Sequence, residues 1–422
     1  MSGTIGSNIL SHSGIIAETA AGLSWSDTIV TGSTVTVEAG KGYWINTTSN
    51  ACTITLPSSA EAGDQIVISD YARTWGTNKI TLDSNGLNFQ GQDDTYTVEY
   101  TTDGQSVNLI YSDSTKGWLP LEDDVTADEP VQPPTQKAIF TFGNPSATNL
   151  VNSSGVIASD VTQVGTNRNS CAGASYGGDK AIMYGGAAVS GGTVLGITNL
   201  INNSGTVGAD VSQVSGVRAS ADVAGSSYGF DKAIVYGGYG DTDADEQYNL
   251  ITNVGVVGAD ATGAPTGRAG TAGSKFGSSG QAIFAYGTAN INISFIVTNQ
   301  GVPGSDVTGV GTARKYLGCA SFGGDRCVFA YGSNDNTLAV SNKVSNTGVV
   351  ASDTGAVGTV RQAVAASGYG GDKGIFGFGK LANGSAVGMS NLVNSSGVVA
   401  SDTTAVGTAC QYKTAAGYSF TA

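Results

Sequence analysis

From Thr34 onward, apolar and polar residues alternate in short runs broken by Gly, Asn and Asp. A period of two predicts half-buried strands joined by tight turns, and no 3.6-residue pattern predicts a helix. The first such runs are Thr34 to Glu38, Tyr43 to Asn46, Cys52 to Leu56, Gln65 to Ser69, Lys79 to Leu82, Tyr96 to Tyr100 and Ser106 to Tyr111. After residue 136 one apolar run, Lys137-Ala-Ile-Phe-Thr-Phe-Gly143, recurs as Lys180 to Gly186, Lys232 to Gly238, Gln281 to Gly287, Arg326 to Gly332 and Lys373 to Gly379. Each copy offers three further strands. In the first copy they are Thr148 to Asn152, Gly155 to Ala158 and Cys171 to Tyr176.

The copies are tied to a fixed ruler of Asn, Gly, Asp and Arg, spaced by six, five and eight residues. Its marks are Asn149, Gly155, Asp160 and Arg168, then Asn199, Gly205, Asp210 and Arg218, then Asn249, Gly255, Asp260 and Arg268. They continue as Phe295, Gly301, Asp306 and Arg314, then Asn342, Gly348, Asp353 and Arg361, then Asn391, Gly397, Asp402 and Cys410. Four strands per unit of this length is the content of one propeller blade, whereas leucine-rich repeats are shorter and helical repeats need a helical period. The fold expected is all-β: a small β-rich N-terminal domain, then a six-bladed β-propeller with units at about 137–179, 180–231, 232–280, 281–325, 326–372 and 373–422. The first unit lacks a preceding strand and the last ends on a spare one, Thr414 to Phe420. The tail is therefore expected to complete the first blade, which would leave no open edge.

Composition separates the chain into parts. All four tryptophans, Trp25, Trp44, Trp75 and Trp118, precede the repeats, so two different cores are expected. Between them, residues 121–136 hold five acids and three prolines, a composition that reads as an extended linker. Residues 36–120 form the β-rich domain. The Ser-, Gly- and Ala-rich start, Met1 to Val30 and out to about residue 35, is expected to be ordered by a partner and to serve as an attachment segment. With 19 Lys and Arg against 33 Asp and Glu, the formal charge is −14, the wrong sign for a nucleic-acid surface. No apolar run reaches the length of a membrane-spanning helix, and the first thirty residues lack a signal-peptide pattern. Cys52, Cys171, Cys319, Cys327 and Cys410 contain no CxxC pair and read as buried small hydrophobes. The single histidine, His12, leaves no His-based dyad or triad beyond that position.

The stretch Arg361-x6-Gly368-Tyr-Gly-Gly-Asp-Lys373-Gly-Ile-Phe-Gly-Phe-Gly379, with diglycines at Gly185-Gly186 and Gly237-Gly238, resembles the kelch repeat, although it lacks the usual Trp of the last strand. Copies such as Asn391-Leu-Val-Asn-Ser-Ser-Gly-Val-Val-Ala-Ser-Asp402 look like repeats of structural proteins of marine bacteriophages. Ahead of them, Lys41 to Pro57, Gly63 to Ala72, Gly104 to Tyr111 and Gly117-Trp118 are similar to a β-rich domain near the start of phage tail-fibre and tail-spike proteins. That likeness implies a bacteriophage virion component, assembled in the host cytoplasm and displayed on the particle surface. It also implies a homotrimer joined through its N-terminus to other tail or virion proteins.

No catalytic residue, metal site or cofactor is expected. The six Asp could form a calcium ring, but a short side chain capping backbone amides explains one Asp per copy more simply. The repeated Arg reads as packing between blades, and Cys410 in the last copy breaks any symmetric cationic ring. Variation is more informative. Between the middle strand and the next, the copies run Asn144 to Thr148, Ala187 to Thr198, Tyr239 to Tyr248, Thr288 to Ser294, Ser333 to Ser341 and Lys380 to Ser390. Such variable loops on one face often bind. In the third, Tyr239 and Tyr248 could stack on sugar, and Asp241, Asp243 and Asp245 could hold calcium. The loop lacks the Gly and distal Glu of a complete calcium loop and reads more readily as solvated. The function expected is non-enzymatic adhesion of a tail fibre to a host-surface glycan or protein through these loops. The rivals are a purely structural decoration or spacer protein and, with no second carboxylate cluster in the repeats, a capsule-degrading enzyme.

Overall fold

The computed structural model describes residues 9–12, 15–18, 23–123, 134–212, 220–239, 246–355 and 357–422. All regular structure among them is β. The chain divides into two compact units, Met1–Pro133 and Pro134–Ala422.

In the first unit the chain passes back and forth between two sheets. One has the order Trp118–Asp123, Ser106–Tyr111, Gln65–Asp70, Lys41–Ile45, Ser24–Val30, and the other the order Thr34–Thr36, Cys52–Thr55, Ile80–Asp83, Val98–Tyr100. Early pairs are parallel, because each strand returns to its own sheet only after visiting the other. Alternation buries one face of each, and Ile45, Ile54, Leu56, Ile66, Ile68, Ile80, Val107 and Leu109 fill the space between them with Trp75 and Trp118. A buried carboxylate, Asp70, fixes two turns by accepting the Trp75 and Gly104 amides at 3.2 and 2.9 Å.

Two expectations for this unit are corrected. Ser24–Val30 is a strand paired with Lys41–Ile45, with Trp25 stacked on Trp44 at 4.2 Å between ring centroids. Ile9–His12 and Ile15–Glu18 pair as a hairpin. Order in Met1 to Val30 thus arises partly within the chain. Likewise Leu121 belongs to the strand Trp118–Asp123, while 124–133 of the expected linker lie outside the described residues.

The second unit contains six three-stranded sheets, each with a lead, a middle and a third strand. In the second sheet these are Ala172–Tyr176, Lys180–Tyr184 and Thr198–Ile201. The later lead strands are Ala224–Tyr228, Ala272–Phe276, Gly318–Phe322 and Ala365–Tyr369. The first sheet takes its lead strand, Thr414–Tyr418, from the C-terminus, paired along Lys137–Thr141 in full register. Gly155 to Ala158 forms no strand. Only the bridge Val151↔Ile157 joins it to its sheet, and the equivalents in the other copies behave alike. Its Gly adopts a φ of 80°, and a Cβ there would lie 2.7 Å from the Tyr369 ring of the neighbouring sheet. Turn conformation and close packing both require glycine.

Neighbouring sheets are linked in order at five junctions through one backbone position, two residues before each lead strand. There Asp222 donates its N–H to Ser170 O, Gly270 to Asp222 O, Tyr316 to Gly270 O, Ala363 to Tyr316 O, and Ser170 to Tyr412 O, at 2.8–3.1 Å. The last of these bonds joins the second sheet back to the tail.

Deleting 414–422 removes one lead strand, bares the edge of Lys137–Thr141 and breaks this order. We predict that the calorimetric transition of the second unit falls by about 10 °C or more while that of the first is unchanged. An unaltered pair of transitions would show that the tail is dispensable.

Candidate functional site

Three of the ruler residues build the seams between sheets. Arg168, four residues before a lead strand, is fully buried. Its Nε donates to Gly185 O at 2.8 Å and its Nη2 to Asn199 Oδ1 at 2.6 Å, while the guanidinium lies 3.9 Å over the Phe142 ring of the preceding sheet. Asn199 in turn donates to Gly208 O and to Asp210 Oδ1, both at 2.9 Å. The other Asp210 oxygen accepts the N–H and hydroxyl of Thr166, at 2.9 and 2.6 Å, from the preceding copy. Arginine suits the position because its planar fork serves two directions while its face rests on an aromatic ring. Arg314 and Arg361 repeat the arrangement on Asn342 and Asn391, over Tyr286 and Tyr331. Asp160, Asp210, Asp353 and Asp402 do cap amides, but those of a neighbouring copy.

Where the ruler departs, a buried cation persists. In the fourth copy Phe295 replaces Asn, so Arg268 donates directly to Asp306 and to Ile293 O at 3.1 Å, with Phe295 beneath it. In the last copy Cys410 replaces Arg, and the charge comes from Lys413, three residues on. Its Nζ donates to Asn149 Oδ1 at 2.6 Å and lies 4.1 Å from the Phe378 ring. The break at Cys410 that the sequence suggests is therefore filled in space.

Partial burial of Asp160, Asp210, Asp353 and Asp402 opposes their charge, but hydrogen bonds from Thr and Asn, with the nearby cation, outweigh it and hold these carboxyls below the usual range. For Lys413, burial dominates and lowers its pKa to about 8, against the weaker pull of Cys410 and Asp160.

The residues two before each lead strand surround the mouth of a cavity of about 120 Å³. All six have φ between 53° and 59°, and five are not glycine: Ser170, Asp222, Tyr316, Ala363 and Tyr412 carry side chains there. A left-handed conformation at such residues costs on the order of 1 kcal/mol or more and clusters at functional positions. Tyr316 and Tyr412 meet edge to face at 5.8 Å, and Lys315 and Lys380 stand 5.6 and 5.8 Å over the two rings. Burial raises the pKa of Asp222, opposed by the Ser170 hydroxyl and by Lys315. Burial also raises both phenols, with the Asp222 charge adding to it. Hydrogen-bond acceptors, phenols, ring faces and ammonium groups thus converge on one opening.

Each middle strand ends beside this mouth, so the variable loops spring from the same end of the unit. Tyr239 pairs with Ala221, next to Asp222, and bears electrostatically on Tyr316. Tyr248 opens the third strand Tyr248–Ile251 opposite Tyr236. Both are half-buried, while Asp241, Asp243 and Asp245 lie outside the described residues. The fourth and sixth loops are extensions of their hairpins, through Gly287↔Ile291 and Lys380↔Ala386. Sequence reasoning missed Asp222, Tyr316 and Tyr412. Their common signal is a position two before the lead strand, disguised in the third sheet because Arg218 precedes Ala224 by six residues instead of four.

No protein-family model matches this chain, and no curated protein matches it.

The closing seam should titrate. Between pH 8 and Lys413's ordinary value of 10.5 the unfolded chain holds a proton that the folded one has released, so raising the pH favours folding. Denaturant titrations of wild type and Lys413→Met should diverge across that window, with the wild type gaining up to about 3 kcal/mol relative to the variant. Parallel profiles would contradict the assignment.

Proposed function

We propose that the second unit is a six-bladed, kelch-like β-propeller and that the protein is a non-enzymatic component of a bacteriophage virion. In this reading it is a tail fibre or similar appendage that adheres to a host-surface glycan or protein. Six three-stranded sheets, five of whose six junctions carry the same backbone hydrogen bond, with a C-terminal strand completing the first sheet, support the propeller. The observation that carries the binding role is the convergence of the variable-loop roots with Asp222, Tyr316 and Tyr412 at one mouth. Tyrosine rings stack on sugar faces, and a carboxylate accepts from sugar hydroxyls. Among the described residues Asp222 is the one carboxylate lining that cavity, whereas glycoside hydrolysis ordinarily uses two. The N-terminal unit, similar to the β-rich domains of tail fibres, would join the particle as a trimer, and three propellers would add avidity.

The test is binding of labelled full-length protein to a bacterial cell panel and a glycan array. Exchange of residues 239–248 for a short Gly-Ser loop, and separately Tyr316→Ala with Tyr412→Ala, should each reduce binding at least about tenfold, since a lost anchor costs 2 kcal/mol or more. Undiminished binding by both variants would remove the adhesive reading of this face, and no binding by wild type would favour a purely structural role.

A further inference from the structure

Along each lead strand the second and fourth residues lie on one face, and every one of them is small except one. The fourth positions are Ser175, Ser227, Lys275, Ser321, Gly368 and Gly417. With the second-position residues they line a cavity of about 70 Å³ at the end of the lead strands opposite the tyrosine mouth. Lys275 is the one charged side chain that lines it.

Among the described residues no carboxylate lies within ion-pair distance of Lys275, and no hydrogen bond satisfies its ammonium group. Its side chain is half-buried, and the loss of water around it disfavours the charged form and lowers its pKa. An ammonium partly withdrawn from water among Gly, Ala and Ser walls is favoured by a nearby counter-charge. The two sheets flanking that of Lys275 present Ser227 and Ser321 at the same level, and neither hydroxyl has a partner among the described residues. Ser175, across the cavity, already donates to Gly417 O at 2.7 Å. One positive charge and two free hydroxyl donors therefore converge on a space the size of a few waters. Sugars and phosphate esters are too large for it. A bound water could fill the space but would not neutralise the charge.

We propose that this cavity is a binding site for a small monovalent inorganic anion of the halide class, held by the Lys275 ammonium and the Ser227 and Ser321 hydroxyls. The anion supplies the counter-charge that the fold omits. Affinity falls as pH rises and Lys275 loses its proton.

Two measurements on the full-length protein test this. In crystals grown or soaked in sodium bromide, an anomalous peak is expected within hydrogen-bonding distance of Lys275 Nζ. In thermal unfolding at constant ionic strength, replacing gluconate, too large to enter, by chloride or bromide should raise the transition of the wild type. Lys275→Met should abolish that response. Ser227→Ala with Ser321→Ala, which keeps the charge, should reduce the apparent affinity several-fold and keeps the test valid if the Met variant folds poorly. Water alone in the density overturns the proposal. So does a halide response that is equal in wild type and Lys275→Met, or one absent from the wild type.

Discussion

A buried positive charge stands in each described seam between neighbouring sheets, and the architecture of the second unit depends on how it is held. The guanidinium belongs to one copy, the Asn and Asp that receive it belong to the next, and an aromatic ring of the first copy lies beneath it. Removing one partner from such a pair is expensive, of the order of 3–5 kcal/mol, because the other charge is left buried and uncompensated. An intact pair contributes much less than that. Its effect is to penalise every arrangement in which a neighbouring sheet is absent, shifted or out of register.

The two departures show which part of the network is required. In the fourth copy the Asn relay is replaced by Phe295, and Arg268 reaches Asp306 without it. In the closing seam the cation itself changes identity and position, from Arg at the ruler mark to Lys413. Geometry of the relay is negotiable, whereas a cation between an aromatic ring and an Asp-bearing turn is kept. With register set by the buried seams, side chains on the two exposed ends of the lead strands are free to vary. One end carries tyrosines, Asp222 and lysines, and the other a lone lysine among serines. One lysine among three serines and two glycines at the six fourth positions is what makes Lys275 conspicuous.

Much of this was legible in the chain. Alternation placed the seven strands of the first unit between Thr34 and Tyr111 and the three strands of each repeat sheet, and the missing first strand pointed to pairing by Thr414–Tyr418. Other features were hidden for physical reasons. Gly155 to Ala158 has strand-like composition but lies where a tight turn leaves room for a single bridge. Ser24–Val30 is polar enough to pass for a loose segment, yet its backbone is satisfied by a parallel partner. Lys413 cannot be found by spacing, because only the fold brings its long side chain to Asn149. The mouth residues were obscured by two extra residues before Ala224, which shift Asp222 off the ruler while leaving its place in the sheet unchanged.

The central claim is that the cation and the amide from adjacent copies act as one unit. A double-mutant cycle on Arg361→Met and Asn391→Leu, read by denaturant unfolding of the full-length protein, measures this directly. A coupling energy of about 1.5–3 kcal/mol, with the double variant more stable than the sum of the single effects, is the predicted result. Additive effects within about 0.5 kcal/mol would contradict it and would reduce the seam to independent packing contacts.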